Sequence, residues 1–324
     1  VTLAIMALFV FANLTVTIAE FADIAASMEL FGVHKYISVP ISAFIVWLVV
    51  VKGNFKQVER FMIVISLVYF TYVVSGFLAN PPWKEVAKQI AVPHVRIDRD
   101  YLLLFITMVG TTVTPYMQFY LQSAVVDKGV RVEEYSIAKY DAYVGAFMTV
   151  FIAFFIVLCT GTMLHPTGIV INSAEDAAKA LEPLAGEFAA HLFALGLLNA
   201  SFMAAFVLPL ATAYGLSEAF GWESGINKTF VEAPQFLGFY TAFIVIGAGI
   251  IMIPGVPLIR IMFFSQTING ILLPIVLVIM LRLINDRSLM GDYVNSLRMN
   301  IVAWVTVSIL IALTAMLLVT SVMR

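Results

Sequence analysis

Gly110-Thr111-Thr112-Val113-Thr114-Pro115-Tyr116-Met117-Gln118 lies in the middle of an apolar stretch, about 100–126, that is long enough to cross a bilayer. A spanning helix needs roughly 20 apolar residues at about 1.5 Å rise each. Pro115 brings no backbone N–H, and its ring clashes with the carbonyl four residues back, so the carbonyl of Thr111 loses its helical donor. A freed carbonyl at mid-membrane is tolerated only where it faces protein or a polar cavity. Gly110 and Pro115 therefore bracket an expected helix break, with the hydroxyls of Thr111, Thr112 and Thr114 gathered between them. Discontinuous helices of this kind mark substrate sites in secondary transporters. A plain proline kink is the alternative reading of the same residues.

Outward from this stretch the chain is apolar throughout. Of its 324 residues, 62% are hydrophobic and only 12% charged, with a mean hydropathy of +1.00. A soluble domain is roughly a quarter charged, so an all-α membrane protein is expected. Nine spans are expected, at about 1–32, 37–52, 56–79, 100–126, 138–164, 185–220, 235–253, 257–284 and 297–322. The connection 165–184 contains SAEDAAKALEP, which predicts a short surface helix opening at Ser173. Val1 already stands inside an apolar stretch. The sequence is thus expected to be one transmembrane domain, 1–324, incomplete at its N-terminus. The net charge of −2 points to no nucleic-acid partner; the expected partner is the lipid bilayer. Cys159 is the single cysteine, so neither an internal disulfide nor a thiol-rich metal site is expected. No HExxH, GxSxG or pair of catalytic aspartates within a span suggests an enzyme, and no cofactor is expected.

Orientation follows from the basic residues. If the loop after the second span is cytoplasmic, that side collects Lys52, Lys56, Arg60, Lys128, Arg131, Lys139, Lys228, Arg282, Arg287 and Arg298. The other side keeps Lys35, Lys84, Lys88, Arg96, Arg99, Lys179 and Arg324.

Polar residues within the spans are the functional candidates, because the bilayer penalises them. Gln266 and Asn269, in Ser265-Gln266-Thr267-Ile268-Asn269-Gly270, are three apart and share a helix face. Two amides facing lipid would be costly, so they are expected to face the bundle interior, as interhelical glue or as ligands. Amide and hydroxyl oxygens suit a hard divalent cation such as Mg²⁺, Ca²⁺ or Mn²⁺ better than a soft one. Glu20 and Asp23 are likewise three apart and are candidate waypoints for cations or protons. Asp141, at the start of the fifth span, is a weaker candidate of the same kind. His191 is expected to be a packing residue, and His34, His94 and His165 fall in or beside loops.

The order and spacing of these segments resemble the NRAMP family of divalent-metal transporters, from that family's third membrane helix to its eleventh. SQTINGILLPIVLVIMLRLINDRSLMG is similar to the family's tenth helix and following loop. TIAEFADIAAS resembles its third helix, where two acidic residues sit three apart, matching Glu20 and Asp23. GTTVTPYMQFYLQSAVV aligns with its broken sixth helix. The resemblance implies a LeuT-type bundle of inverted repeats, a transported divalent metal held between the first and sixth helices, and a monomer in a cell membrane, by resemblance a bacterial inner membrane.

The departures from the family pattern carry as much as the match. Proton-coupled members have Met-Pro-His on the sixth helix; here the methionine position is Thr114, the first histidine position is Tyr116, and the second corresponds to Gln122. The span 235–253 also lacks the arginine pair of the family's proton route. TP-aromatic-MQF, together with LPLATAYGLSEAFGWE, resembles the NRAMP-related magnesium transporter branch. That branch implies Mg²⁺ carrying part of its water shell, and Mn²⁺ as well. Thr111 through its main-chain carbonyl, Thr114 and Gln266 would then line the ion path, with Asn269 beside them and Met117 as a thioether one turn further along. The Asp-Pro-Gly motif of the family's first helix does not occur in this sequence.

Overall fold

The computed structural model describes residues 2–52, 60, 63–92, 95–127, 129–168, 171–182 and 186–322. Val1, Lys56, His94, Lys128 and Arg324, and most of the expected span start at 56–62, lie outside the described residues. Among the described residues the structure is helical, without strands. The long helices are α1 (Thr2–Leu30), α2 (Lys35–Val51), α3 (Ile63–Leu78), α4 (Trp83–Ala91), α5 (Arg99–Thr112), α6 (Pro115–Asp127) and α7 (Tyr135–Met163). After the short α8 (Ala174–Ala178) come α9 (Ala189–Phe220), α10 (Pro234–Ile251), α11 (Leu258–Ile284) and α12 (Leu297–Val322).

The nine expected spans are not all confirmed among the described residues. Among the described residues seven helices are long and apolar enough to cross a membrane, α5 and α6 together counting as one 28-residue span. The count becomes eight if the bent pair α3–α4 is one span. The difference falls on the second and third expected spans. Helix α2 has 17 residues, about 26 Å at 1.5 Å per residue, slightly short of the hydrocarbon core. Helix α3 is followed by Asn80-Pro81-Pro82, and the chain turns through 111° there into α4. Asn80 takes a left-handed conformation (φ 49°), and the two prolines cannot continue the helix.

Local chemistry explains the remaining boundaries. Asp98 caps α5 by accepting the Tyr101 N–H at 3.0 Å, and Ser173 caps α8 by accepting the Asp176 N–H at 3.2 Å. At the end of α9, Gly221 adopts φ 71° and the Trp222 N–H reaches back to the Ser217 carbonyl at 2.8 Å, a left-handed cap that glycine adopts without strain. The expected surface helix at Ser173 does form, but it is not confined to the surface. Its Ala174 and Ala178, with Ala180 and Leu181 just after, are buried against the bundle.

Helix α1 is the hub, packing against α2, α9, α10 and α11. Its Ala12, Ala19, Ala22 and Ala25 are buried, and side chains this small let neighbouring backbones come close. Phe21, Ile24, Phe206, Phe236 and Tyr240 fill the same core. Two polar side chains inside it pair across helices. The Tyr240 hydroxyl donates to the Val46 carbonyl at 2.9 Å, and Asn13 Nδ2 donates to Thr212 Oγ1 at 2.8 Å.

Contacts at the two ends agree with the expected sidedness. Lys35 Nζ donates to the carbonyls of Ile251 and Ile253, both at 3.0 Å, so the connections after α1 and after α10 share one end. At the other end, the rings of Tyr135 and Tyr293 meet edge-on at 5.6 Å, joining connections that carry Arg131 and Arg287.

Helix α5 crosses α11 at bare backbone. A Cβ at Gly110 would strike the Gln266 carbonyl and Gly270, and one at Gly270 would strike the Ile106 carbonyl. Thr107 Oγ1 and Thr267 Oγ1 bond 2.8 Å apart in the same seam. Overpacking costs about 1–3 kcal/mol, whereas an interhelical hydrogen bond in a membrane averages about 0.6 kcal/mol. Gly270→Val is therefore expected to lower the thermal unfolding midpoint in detergent clearly more than Thr107→Val does. Equal effects would mean that the seam is held by the hydroxyl pair rather than by close approach.

Candidate functional site

The interruption of the fourth expected span is where the sequence puts it. Helix α5 ends at Thr112, Val113 leaves the helical region (φ −123°, ψ 87°), and α6 restarts at Pro115. Proline forces its predecessor out of the helical region and suits the first position of the next helix. The Thr114 carbonyl accepts the first N–H of α6, from Met117 at 3.2 Å. Gly110 has a different part from the one expected of it. It remains inside α5, one turn ahead of the break, and seats that turn directly on Gln266 and Gly270 of α11. The close approach thus brings the broken helix beside the amide pair.

Thr114 is buried, and its Oγ1 has no hydrogen-bond partner; the Tyr116 phenol comes near without reaching hydrogen-bond geometry. On α11, Asn269 Nδ2 donates to Gln266 Oε1 at 3.3 Å, leaving Asn269 Oδ1 buried and unpartnered. Glu20 and Asp23 are half-buried on α1. Neither is ion-paired among the described residues, and Asp23 Oδ1 is another buried oxygen without a partner. Glu20 lies within electrostatic reach of Asp23, of Tyr116 at the start of α6, and of Tyr69 in α3. Of the acidic pair, Glu20 is thus the one within electrostatic reach of the restart of the broken helix. A buried polar atom left without a partner costs free energy, and three such oxygens fall on residues singled out by sequence.

Other candidates stand apart. Thr111, Gln122 and Asp141 are exposed, and Met117 is 43% exposed, so its thioether does not join the buried oxygens. His191, expected to be a packing residue, is exposed, with its ring 5.7 Å from Phe31 and 6.4 Å from Phe188. Among the described residues no group of three or more His, Cys, Asp or Glu side chains is placed to hold a metal ion.

One polar cluster went unnoticed in the sequence. Asn199 of α9 donates through Nδ2 to the Tyr69 hydroxyl at 3.1 Å and to Ser66 Oγ at 3.0 Å. The Tyr69 hydroxyl donates in turn to the Gly196 carbonyl at 3.0 Å. Asn199 was legible as a lone amide within an apolar span, the same signal that marks Asn269. A further tie holds α6 to α9, where Ser123 Oγ donates to Glu218 Oε1 at 2.7 Å.

Pro115 stands at the first position of α6, where its missing N–H costs nothing and its fixed φ suits the helix start. Pro115→Ala is therefore expected to leave the unfolding midpoint in detergent unchanged or lower it by the equivalent of about 0.4–1 kcal/mol. A clearly higher midpoint would show that the proline alone holds open a helix that would otherwise run on through Thr114.

Comparison with known proteins follows the same lines. Residues 1–320 match the family described as natural resistance-associated macrophage protein-like, Nramp. Three proteins named divalent metal cation transporter MntH are similar to the chain. That of Caldanaerobacter subterraneus subsp. tengcongensis is 24% identical over 277 residues, 82% of this chain and 62% of the relative. The Clostridium acetobutylicum protein is 26% identical over 258 residues, 76% of this chain and 56% of the relative. The Ralstonia nicotianae protein is 27% identical over 271 residues, 78% of this chain and 59% of the relative. In each case the chain spans under two thirds of the relative's length. The chain belongs to the Nramp family, and it is a multi-pass membrane protein of that family's LeuT-type helical fold.

Proposed function

We propose that the protein moves divalent metal cations across a cell membrane by alternating access, Mg²⁺ foremost and Mn²⁺ as well. The single observation that carries this reading is the hydroxyl at Thr114. It is buried at a helix break, its oxygen unpartnered, in a chain whose relatives are divalent-metal transporters. Gln266 and Asn269 supply amide oxygens from the helix that Gly110 contacts, and the main-chain carbonyl of Thr111 is the one Pro115 leaves without a donor. An oxygen-only set suits a hard ion, and Mg²⁺ sheds its water reluctantly, so contacts through retained water fit the chemistry. The acidic pair Glu20 and Asp23 would draw cations inward. The membrane potential, worth about 2.3 kcal/mol per charge per 100 mV and twice that for a divalent ion, is a sufficient driving force without protons.

A second reading is a proton-coupled Mn²⁺/Fe²⁺ importer, and the name MntH shared by the three relatives favours it. The two readings divide on selectivity. Full-length protein in liposomes is expected to take up Mg²⁺, with Mn²⁺ competing, and to acidify the lumen little. Uptake of Fe²⁺ or Cd²⁺ with strong proton influx, and none of Mg²⁺, would establish the second reading in its place.

Thr114→Met would put a soft sulfur where the hydroxyl is. Competition by Cd²⁺ is expected to improve about tenfold or more in that variant, about 1.4 kcal/mol, while Mg²⁺ uptake falls. Unchanged Cd²⁺ competition would remove Thr114 from the ion path.

A further inference from the structure

Helix α4 is unlike every other long helix of the chain. Its nine residues, WKEVAKQIA, divide cleanly by helical position. Trp83, Val86, Ala87 and Ile90 fall on one arc, and Lys84, Glu85, Lys88 and Gln89 on the opposite one. The apolar arc is largely uncovered by protein: Trp83 is 41% and Ile90 64% exposed. The helix also lies across the bundle, because Asn80-Pro81-Pro82 turns the chain 111° from α3. Ring contact of Trp83 with Phe77, 5.2 Å between centroids, holds the corner.

Beside α4 runs a groove of about 610 Å³, floored by the last turns of α7. Its walls are apolar, with Val86 and Ile90 on one side and Phe154, Val157 and Leu158 on the other. That volume is in the range of roughly 300–1,000 Å³ typical of ligand sites. Glu85 and Gln89 form a polar rim, joined by a 2.8 Å hydrogen bond, with Lys88 3.9 Å from Glu85.

We propose that α4 lies in the membrane interface and that the groove between α4 and α7 holds an acyl chain of a phospholipid. A helix of this polarity, set across a spanning helix, buries its apolar arc at the boundary of headgroups and acyl chains. Tryptophan is favoured at that depth. The groove floor belongs to a spanning helix whose outer residues, such as Val150 and Val157, are themselves exposed. A water-soluble partner could not reach that depth, whereas a lipid tail is already there. The headgroup then meets the rim of Glu85, Lys88 and Gln89.

Two measurements on the full-length protein test this. Nitroxide labels at Ile90→Cys and Lys88→Cys, with the buried Cys159 replaced by alanine, report depth in nanodiscs. The Ile90 label is expected to collide several-fold more with oxygen than with an aqueous nickel complex, and the Lys88 label the reverse. Equal access of both labels to the nickel complex would overturn the interfacial placement. For the groove, p-benzoylphenylalanine is placed at Val157, and at Val150 as a control on the same helix, in protein purified in detergent. Irradiation is expected to add the mass of a retained phospholipid at Val157 and not at Val150. A crosslink from Val157 to another stretch of the protein, equal lipid yields at both positions, or no lipid at Val157 would overturn the groove assignment.

Discussion

A backbone carbonyl inside a bilayer has no water to turn to, and Pro115 leaves the Thr111 carbonyl without its helical donor. Much of the structure is arranged around that deficit. Helix α5 stops at Thr112 and α6 restarts at Pro115; Thr111–Val113 are exposed, while Thr114 and Pro115 are buried against protein. Gly110 and Gly270 let α5 and α11 touch at backbone level, with Thr107 and Thr267 bonded in the same seam. A Cβ at either glycine would push α5 and the Gln266–Gly270 turn of α11 apart. The close crossing of two helices and the polar character of the break are therefore one feature.

The hub role of α1 follows from the same need to pack backbone tightly. Its alanines make room for neighbours on several sides, and its carboxylates sit half-buried in the bundle, with no ion pair among the described residues. Glu20 lies within electrostatic reach of Tyr116 at the restart of the broken helix and of Tyr69 in α3. Charge near a helix break is the recurrent setting for ion handling in membrane transporters.

The periphery is ruled by the lipid rather than by the core. Helices α7 and α12 expose long apolar faces, as befits surfaces whose solvent is hydrocarbon. Helix α4 differs because its polarity divides around the helix rather than along it. The corner at Asn80-Pro81-Pro82 then decides whether such a helix crosses the bundle or lies over its edge.

How much could be read before any coordinates depends on the kind of physics involved. The break at Thr114–Pro115, the cap at Ser173 and the membrane class follow from sequence, because each is set by a local rule: a missing N–H, a side-chain oxygen at a helix start, the length of an apolar run. The faces of Glu20–Asp23 and Gln266–Asn269 follow as well, since three-residue spacing fixes them. The number of spans did not follow. Length alone cannot tell the short α2 or the bent α3–α4 pair from full crossings. Nor could sequence separate Gly110 as a packing residue from Gly110 as part of the break, because that depends on Gly270, 160 positions later. The network of Asn199, Tyr69 and Ser66 and the half-burial of the Ser173 helix belong to the same class. Local covalent geometry wrote the first group into the chain, and only the approach of distant helices decided the second.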